Sequence, residues 1–294
     1  MNILLLGKGG QVGWELQRAL APLGTVIAHD LDTADFSQPE QVAALVAAVR
    51  PDVIVNAAAH TAVDKAEGEP ELARLINATT PGAIAREAAK LGALLVHYST
   101  DYVFDGSGSA PRDEAAPTAP LSVYGSTKLE GEQLIQASGC PHLILRTSWV
   151  FGARGGNFAK TMLKLAAERE ALKVINDQVG APTGADLLAD VTAHAIRGIQ
   201  ARPELSGLYH MVAGGQTTWY DYARFVIEWA RAKGVAIKVE PGAISPVPTT
   251  EYPTPARRPL NSRLNTTKLQ QAFGLTLPDW QSGVERMLTE HLGD

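Results

Sequence analysis

The chain has 294 residues, 45% hydrophobic and 19% charged, with 26 basic against 31 acidic side chains and a net charge of −5. This composition suits a globular protein with a sizeable core, as one large domain or two small ones, and it argues against nucleic acid, whose binders need a basic patch to displace counterions. Cys140 is the lone cysteine, so intrachain disulfides and cysteine-based zinc sites are excluded; the seven histidines never take a spacing such as HExxH, and no segment approaches the ~20 apolar residues of a membrane span.

The chain begins directly on a short apolar run, residues 2–6, with neither a basic stretch nor a small-residue cleavage site. A signal peptide is therefore not expected, and a cytoplasmic protein is. The first run leads into Gly-Lys-Gly-Gly-Gln-Val-Gly, which sets Gly7, Gly10 and Gly13 at GxxGxxG spacing at the opening of a helical pattern over 11–24. Glycines there allow a tight turn and let the backbone approach a diphosphate, which the following helix N-terminus attracts. Gly13 lets that helix pack closely on its strand. The alternative is a plain flexible turn. Its position after the first strand favours a dinucleotide, and so does Asp30, which ends the second apolar run (25–30) and stands where an acidic residue accepts the ribose hydroxyls. Asp30 favours NADH, because it repels a 2′-phosphate. Asp35 and Phe36, at the next turn, are candidate adenine contacts.

Further apolar runs at 52–60, 93–101 and 142–152 are continuous rather than alternating, as expected for strands covered on both faces. Helical patterns such as 39–50 separate them. The expected fold is α/β, a doubly wound Rossmann parallel sheet with right-handed crossovers and a smaller C-terminal α/β substrate-binding domain. After residue 150 the rhythm loosens. Strands are expected at 172–178 and 207–213, and helices at 187–199, 220–234 and 280–292. The proline-dense stretch 241–259 should form an ordered cover, neither helix nor central strand. The dinucleotide domain is expected to comprise residues 1–150 plus roughly 184–204, and the substrate domain roughly 151–183 plus 205–294.

Chemistry in such sheets lies at the carboxyl ends of the strands. The small residues Ala57 to Ala59 let a cofactor lie flat there, and Thr100 and Asp101 project towards the nicotinamide. Tyr124 and Lys128, in VYGSTKLEGE, share one face of a helix. A phenol serves as an acid at neutral pH only if its pKa falls, and a lysine ammonium one turn away lowers it. With Thr100 holding a carbonyl oxygen beside the phenol, the three residues suit ketone reduction: hydride from nicotinamide, proton from Tyr124, and Lys128 on the nicotinamide ribose.

GxxGxxG, NAAAHTAVDKAE, STDYVFDG and YGSTKLEGE, followed by RTSWVFG, NFAKTML, NDQVGAPT and RRPLNSRL, resemble the extended short-chain dehydrogenase/reductases over nearly the whole chain. Within them the likeness is to the branch that reduces the C4 ketone of dTDP-4-dehydro-L-rhamnose, a dTDP-sugar, in rhamnose and cell-surface polysaccharide biosynthesis. The resemblance implies a catalytic triad of Thr100, Tyr124 and Lys128, with Asp101 beside the substrate. It implies cofactor contacts from Gly10, Gln11, Val12, Asp30, Asp35, Phe36, Ala59, His60, Thr61 and Tyr98, and Trp149 stacked on the sugar. It also implies use of NADPH as well as NADH, and an associated Mg²⁺ whose ligands the sequence does not identify, Glu15 being a candidate.

Arg257 and Arg258, on the proline-rich cover, either clamp the diphosphate or lie solvated on the surface. Asn157, Gln178 and Thr183 either read polar edges of the ligand or cap turns. Trp219, Tyr220, Tyr222 and Trp229 read as packing, His97 as structural, His60 as close to the cofactor, and Glu130 and Glu132 as a solvated face. A nucleotide-sugar 4-epimerase, and a non-catalytic subunit like the regulatory subunit of methionine adenosyltransferase, are the alternative functions. The oligomeric state is open, a homodimer included.

Overall fold

In a computed structural model, residues 1–293 are described. Six strands, β1 (Asn2–Leu6), β2 (Thr25–His29), β3 (Val53–Asn56), β4 (Leu94–Thr100), β5 (His142–Thr147) and β6 (Gly207–His210), form one parallel sheet in the order β6-β5-β4-β3-β1-β2. The chain runs from β1 to one side and then returns to the other, so the sheet has its switch point between β1 and β3. The register levels the strand ends there: Leu6 stands beside both His29 and Asn56, and Asn56 beside His97. β4 runs three residues further, and Thr100 pairs with Thr147 of β5.

Continuous apolar runs make both faces of the sheet dry. Ile3, Leu5, Val55 and Val96 pack towards the helices Gln11–Leu20 and Ala185–Ala201. Leu4, Leu6, Ile54 and Leu95 pack towards the helices Pro39–Val49, Thr80–Leu91 and Val123–Ala137. Neighbouring residues thus serve opposite cores, the period of two that a strand imposes. A second cluster, built on Phe151, Leu163, Tyr222, Trp280 and Val284, joins the helices Phe158–Glu168, Trp219–Ala232 and Trp280–Leu292. No described helix is long and apolar enough to cross a membrane.

Three features depart from the sequence-based expectation. The run 142–152 is two strands rather than one. β5 ends at Thr147, Trp149 adopts a left-handed backbone with φ of 50°, and Val150–Phe151 then pairs with Thr183–Gly184. The strand Gly207–His210, expected in the smaller unit, pairs with β5 and closes the edge of the central sheet. The proline-dense stretch includes a short strand, Ile244–Val247, paired in parallel with Leu172–Ile175. Pro246 is tolerated because that two-stranded sheet is all edge.

The first turn after β1 is dictated by contact distances. Gly7 has φ of 85°, and a Cβ there would lie 2.7 Å from the Ala58 nitrogen. A Cβ on Gly13 would lie 1.9 Å from the Gly7 carbonyl oxygen, so helix and turn touch backbone to backbone. Gly13→Ala should therefore displace the helix start. We expect a loss of about 1–3 kcal/mol in urea unfolding, with weakened dinucleotide binding; an unchanged midpoint would show that the turn relaxes freely.

Candidate active site

The glycine turn is held from two sides. The N–H groups of Gly7 and Lys8 donate to the His29 carbonyl at 2.9 and 3.1 Å. The Gly9 N–H donates to Asp30 Oδ2 at 2.8 Å, so Asp30 braces the turn besides standing at the end of β2. Gly10 precedes the helix with no side-chain cap, which leaves the first N–H groups of Gln11, Val12 and Gly13 to a ligand. The Gln11 side chain points towards the loop after the fifth strand, where Asn157 Nδ2 lies 3.5 Å from its Oε1.

The other expected cofactor residues gather around this turn in different ways. Asp35 caps its own turn by accepting the Ser37 N–H at 2.8 Å. The Phe36 ring is buried in the core, and its carbonyl accepts from Thr80, so Phe36 presents backbone at this edge, not its ring. Ala59, His60 and Thr61 form the loop leaving β3. That loop is clamped by Asn77, whose Oδ1 accepts the His60 N–H at 2.8 Å while its Nδ2 donates to the His60 carbonyl and to Thr127 of the Val123–Ala137 helix. Asn77 lies in no recognisable motif. It sits on a π-helical turn, Leu75–Thr79, and only the fold brings it here. Tyr98 turns to the opposite sheet face from His97, and its hydroxyl meets Thr192 Oγ1 at 2.6 Å.

The Val123–Ala137 helix begins with Ser122 as its cap, accepting the Gly125 N–H at 3.2 Å. That start places Tyr124 in the first turn, with the Thr100 hydroxyl at the end of β4 acting on its phenol. Its ring meets Tyr102 edge-on with centroids 5.4 Å apart. Burial pushes the Tyr124 phenol up to about 12, the Thr100 hydroxyl opposing and the Asp101 charge adding to the rise. Asp101 is itself buried and bonded to Thr100 at 3.1 Å, and desolvation raises it to about 6.

Lys128 is 2% exposed and does what the sequence does not announce. Its Nζ lies 3.0 Å from His97 Nε2, and His97 Nδ1 lies 3.1 Å from Asn56 Nδ2. Burial lowers Lys128 to about 8, against the pull of Glu132. Burial, with the Lys128 charge, holds His97 well below the usual imidazole range. Burial of Tyr124 opposes the depression of the phenol expected from Lys128, whose Nζ here bonds a histidine.

One further turn along the same face, Glu132 is 1% exposed rather than solvated. It receives Arg146 Nε and Nη2 at 2.9 and 2.6 Å, and the Ser99 hydroxyl. The i, i+4, i+8 spacing of Tyr124, Lys128 and Glu132 carries one inward stripe. Glu130, between them, points outward to Arg74.

On the substrate side, Trp149 stacks on Trp219 with centroids 3.7 Å apart and planes 17° apart. Trp219 donates to Gln178 Oε1 at 3.0 Å, and Gln178 donates to Thr249 of the cover. Asn157 caps the following helix through the Lys160 N–H, and Thr183 bonds the Ala213 N–H, so both serve the backbone. Arg258 is engaged with Asp64 at 2.7 and 3.1 Å, while Arg257 is exposed.

The Mg²⁺ expectation finds no donor set. Glu15 pairs with Arg18, Asp186 with Arg286, and among the described residues no three His, Cys, Asp or Glu side chains converge to hold an ion. A cavity of about 460 Å³ beside Trp14, Glu15 and Asp186 contains none of the triad residues.

Comparison with known proteins agrees with this geometry. The sequence matches the family model described as the RmlD substrate binding domain over residues 1–292. It is 64% identical over 294 residues to a dTDP-4-dehydrorhamnose reductase of Escherichia coli (strain K12), covering 99% of this chain and 98% of the relative. A dTDP-4-dehydrorhamnose reductase of Salmonella typhimurium is 62% identical over 295 residues, with 99% and 98% covered. Among solved structures, a dTDP-4-dehydrorhamnose reductase from Bacillus anthracis in complex with NADP aligns with a TM-score of 0.88 at 34% identity, covering 98% of this chain and 99% of that one. The chain belongs to the RmlD substrate binding domain family.

The raised pKa of Asp101 has a signed consequence. Between 3.8 and about 6 the folded protein keeps a proton that the unfolded chain releases, so this group's contribution to stability falls as pH rises through that window. Asp101→Asn should gain on the parent across the same window in urea titrations and hold the gain above it. A difference that stays constant with pH would mean that Asp101 is ionised in the fold.

Proposed function

We propose that this chain reduces the C4 ketone of dTDP-4-dehydro-L-rhamnose to dTDP-L-rhamnose with NADPH or NADH. The observation that carries the reading is the placement of Tyr124 in a first helical turn, one turn before the buried Lys128, with Thr100 at the strand end acting on its phenol and an uncapped glycine turn after the first strand. Membership of the family and two relatives named for this reaction, each more than 60% identical, support the substrate.

The bound nicotinamide supplies the hydride. The chain's own residues do the rest. Gln11, Val12 and Gly13 take the diphosphate on backbone N–H groups, Gly7 and Gly10 shape the turn that presents them, and Asp30 takes the adenosine ribose. The small Ala57 to Ala59 stretch, with His60 and Thr61, floors the crevice. Thr100 holds the ketone oxygen against the phenol, and Tyr124 donates its proton to that oxygen as the C–H bond forms. Hydride and proton together complete the alcohol, leaving a phenolate for which Lys128, as the ammonium, is the counter-charge. Burial keeps the Tyr124 proton in place at neutral pH, and the pull of the Lys128 ammonium on the phenolate is what lets it leave. Asp101 lies beside the sugar. Trp149, held flat by Trp219, offers its other surface to the ring. Arg257 is the cation available to the diphosphate, since Arg258 is paired with Asp64. We place the reaction in the cytoplasm, supplying rhamnose for cell-surface polysaccharide.

The direct test generates dTDP-4-dehydrorhamnose in situ with a 3,5-epimerase and follows NADH and NADPH oxidation. Oxidation that needs this chain, with dTDP-rhamnose as product, is expected. Cofactor binding without oxidation would instead favour a 4-epimerase or a non-catalytic subunit. Tyr124→Phe should lower kcat by about 10²- to 10⁴-fold, the worth of a general acid, and leave the NADH dissociation constant unchanged. Retained turnover would remove Tyr124 as the proton donor.

A further inference from the structure

Three hydrogen bonds connect the dinucleotide crevice to Lys128, and their direction can be deduced. The Ala58 N–H donates to Asn56 Oδ1 at 3.0 Å, which orients the amide and turns its Nδ2 towards His97. Nδ2 carries hydrogens and no lone pair, so His97 Nδ1 must accept. A neutral imidazole that accepts at Nδ1 bears its proton on Nε2. That proton points at Lys128 Nζ, 3.0 Å away. Nζ can accept only as the uncharged amine, because an ammonium has no lone pair. Asn56 and His97 are each 1% exposed, so water is poorly placed to reverse any link.

We propose that Asn56 and His97 are positioning residues that park Lys128 as a neutral amine, and that protonation of Lys128 releases it from His97 towards Tyr124. Charge and position of the lysine are thereby coupled. As the amine it rests on His97; as the ammonium it meets a donor and must turn to an acceptor on the phenol side, a phenolate or a ribose hydroxyl. The groups facing Lys128 fit this. His97 and Ser99 come from β4, Asn56 stands behind His97 on β3, and Tyr124 and Glu132 share its helix. Glu132 cannot simply retain the ammonium, because Arg146 from β5 and Ser99 already occupy its carboxylate. Burial lowers Lys128 to about 8, so the parked amine gains population as pH rises towards and past that value. The role of the released lysine rests on the proposed reductase chemistry; the parked state does not.

The test uses the full chain free of dinucleotide and needs no substrate. Imidazole ¹⁵N spectra, with His97→Gln to assign the signal, should show His97 protonated on Nε2 and bare on Nδ1. In Asn56→Asp the carboxylate accepts from both the Ala58 N–H and an Nδ1–H, so the tautomer should reverse and free Nε2 to accept from an ammonium. The Lys128 ¹³Cε titration, assigned with Lys128→Arg, should then move up by about one pH unit or more. A parent His97 protonated on Nδ1, or a reversed tautomer with an unmoved lysine titration, overturns the proposal. If Asn56→Asp does not fold, His97→Gln carries the test: its amide can donate or accept, and the same upward shift is expected, its absence counting against the lock. Because these readings precede any turnover, their failure is separate from failure of ketone reduction.

Discussion

The register of β4 against its two neighbours is the constraint on which the site depends. Asn56 stands beside His97 and Thr100 beside Thr147, and side chains alternate between the sheet faces. A slip of one residue would exchange the faces of this whole strand. His97 and Ser99 would leave the helix that bears Lys128 and Glu132, and Tyr98 would leave Thr192. The apolar residues Leu95 and Val96, which serve opposite cores, resist that slip. Packing thus holds the polar groups in place, and the strand's overrun beyond β3 carries Thr100 out to Tyr124.

The helix facing β4 has an equally divided task. Tyr124 and Lys128 are the residues proposed for the chemistry, while Glu132 anchors the same stripe to Arg146 and Ser99. Removing one partner of such a buried pair costs about 3–5 kcal/mol, because the other charge is left without compensation. Anchor and chemistry are one turn apart on a rigid element. A change at Glu132 is therefore a change in the setting of Lys128, through both helix position and charge.

The glycine turn, the strand–helix alternation and the Tyr124–Lys128 face were legible in the sequence because each is a local pattern with a fixed spacing. What escaped depends on distant partners. The run 142–152 is interrupted only by Arg146, Thr147 and Ser148, which read as a polar strand end, yet Trp149 turns the chain into a second sheet by a backbone angle that residue identity does not reveal. Gly207–His210 joins the central sheet through β5, some sixty residues earlier in the chain. Glu132 looks like its exposed neighbour Glu130 until Arg146 is brought beneath it. Asn77 has no motif at all. The role of His97 required its two neighbours on β3 and on the helix, neither of which is near it in sequence.

The arginine on the proline-rich cover has a consequence for ligand thermodynamics. Arg258 is engaged by Asp64, 194 residues away, and by Thr254 and the Ala256 carbonyl within its own loop. An anion that reached this guanidinium would not add a bond to an idle group; it would exchange one carboxylate for another anion. The gain would be the difference between two partners, with the released Asp64 left to find water. Any such exchange would leave the cover tied to the Val63–Gly68 helix through the Ala256 N–H bond to Asp64 alone, so occupancy of that one side chain would be read out as slack in a segment far along the chain.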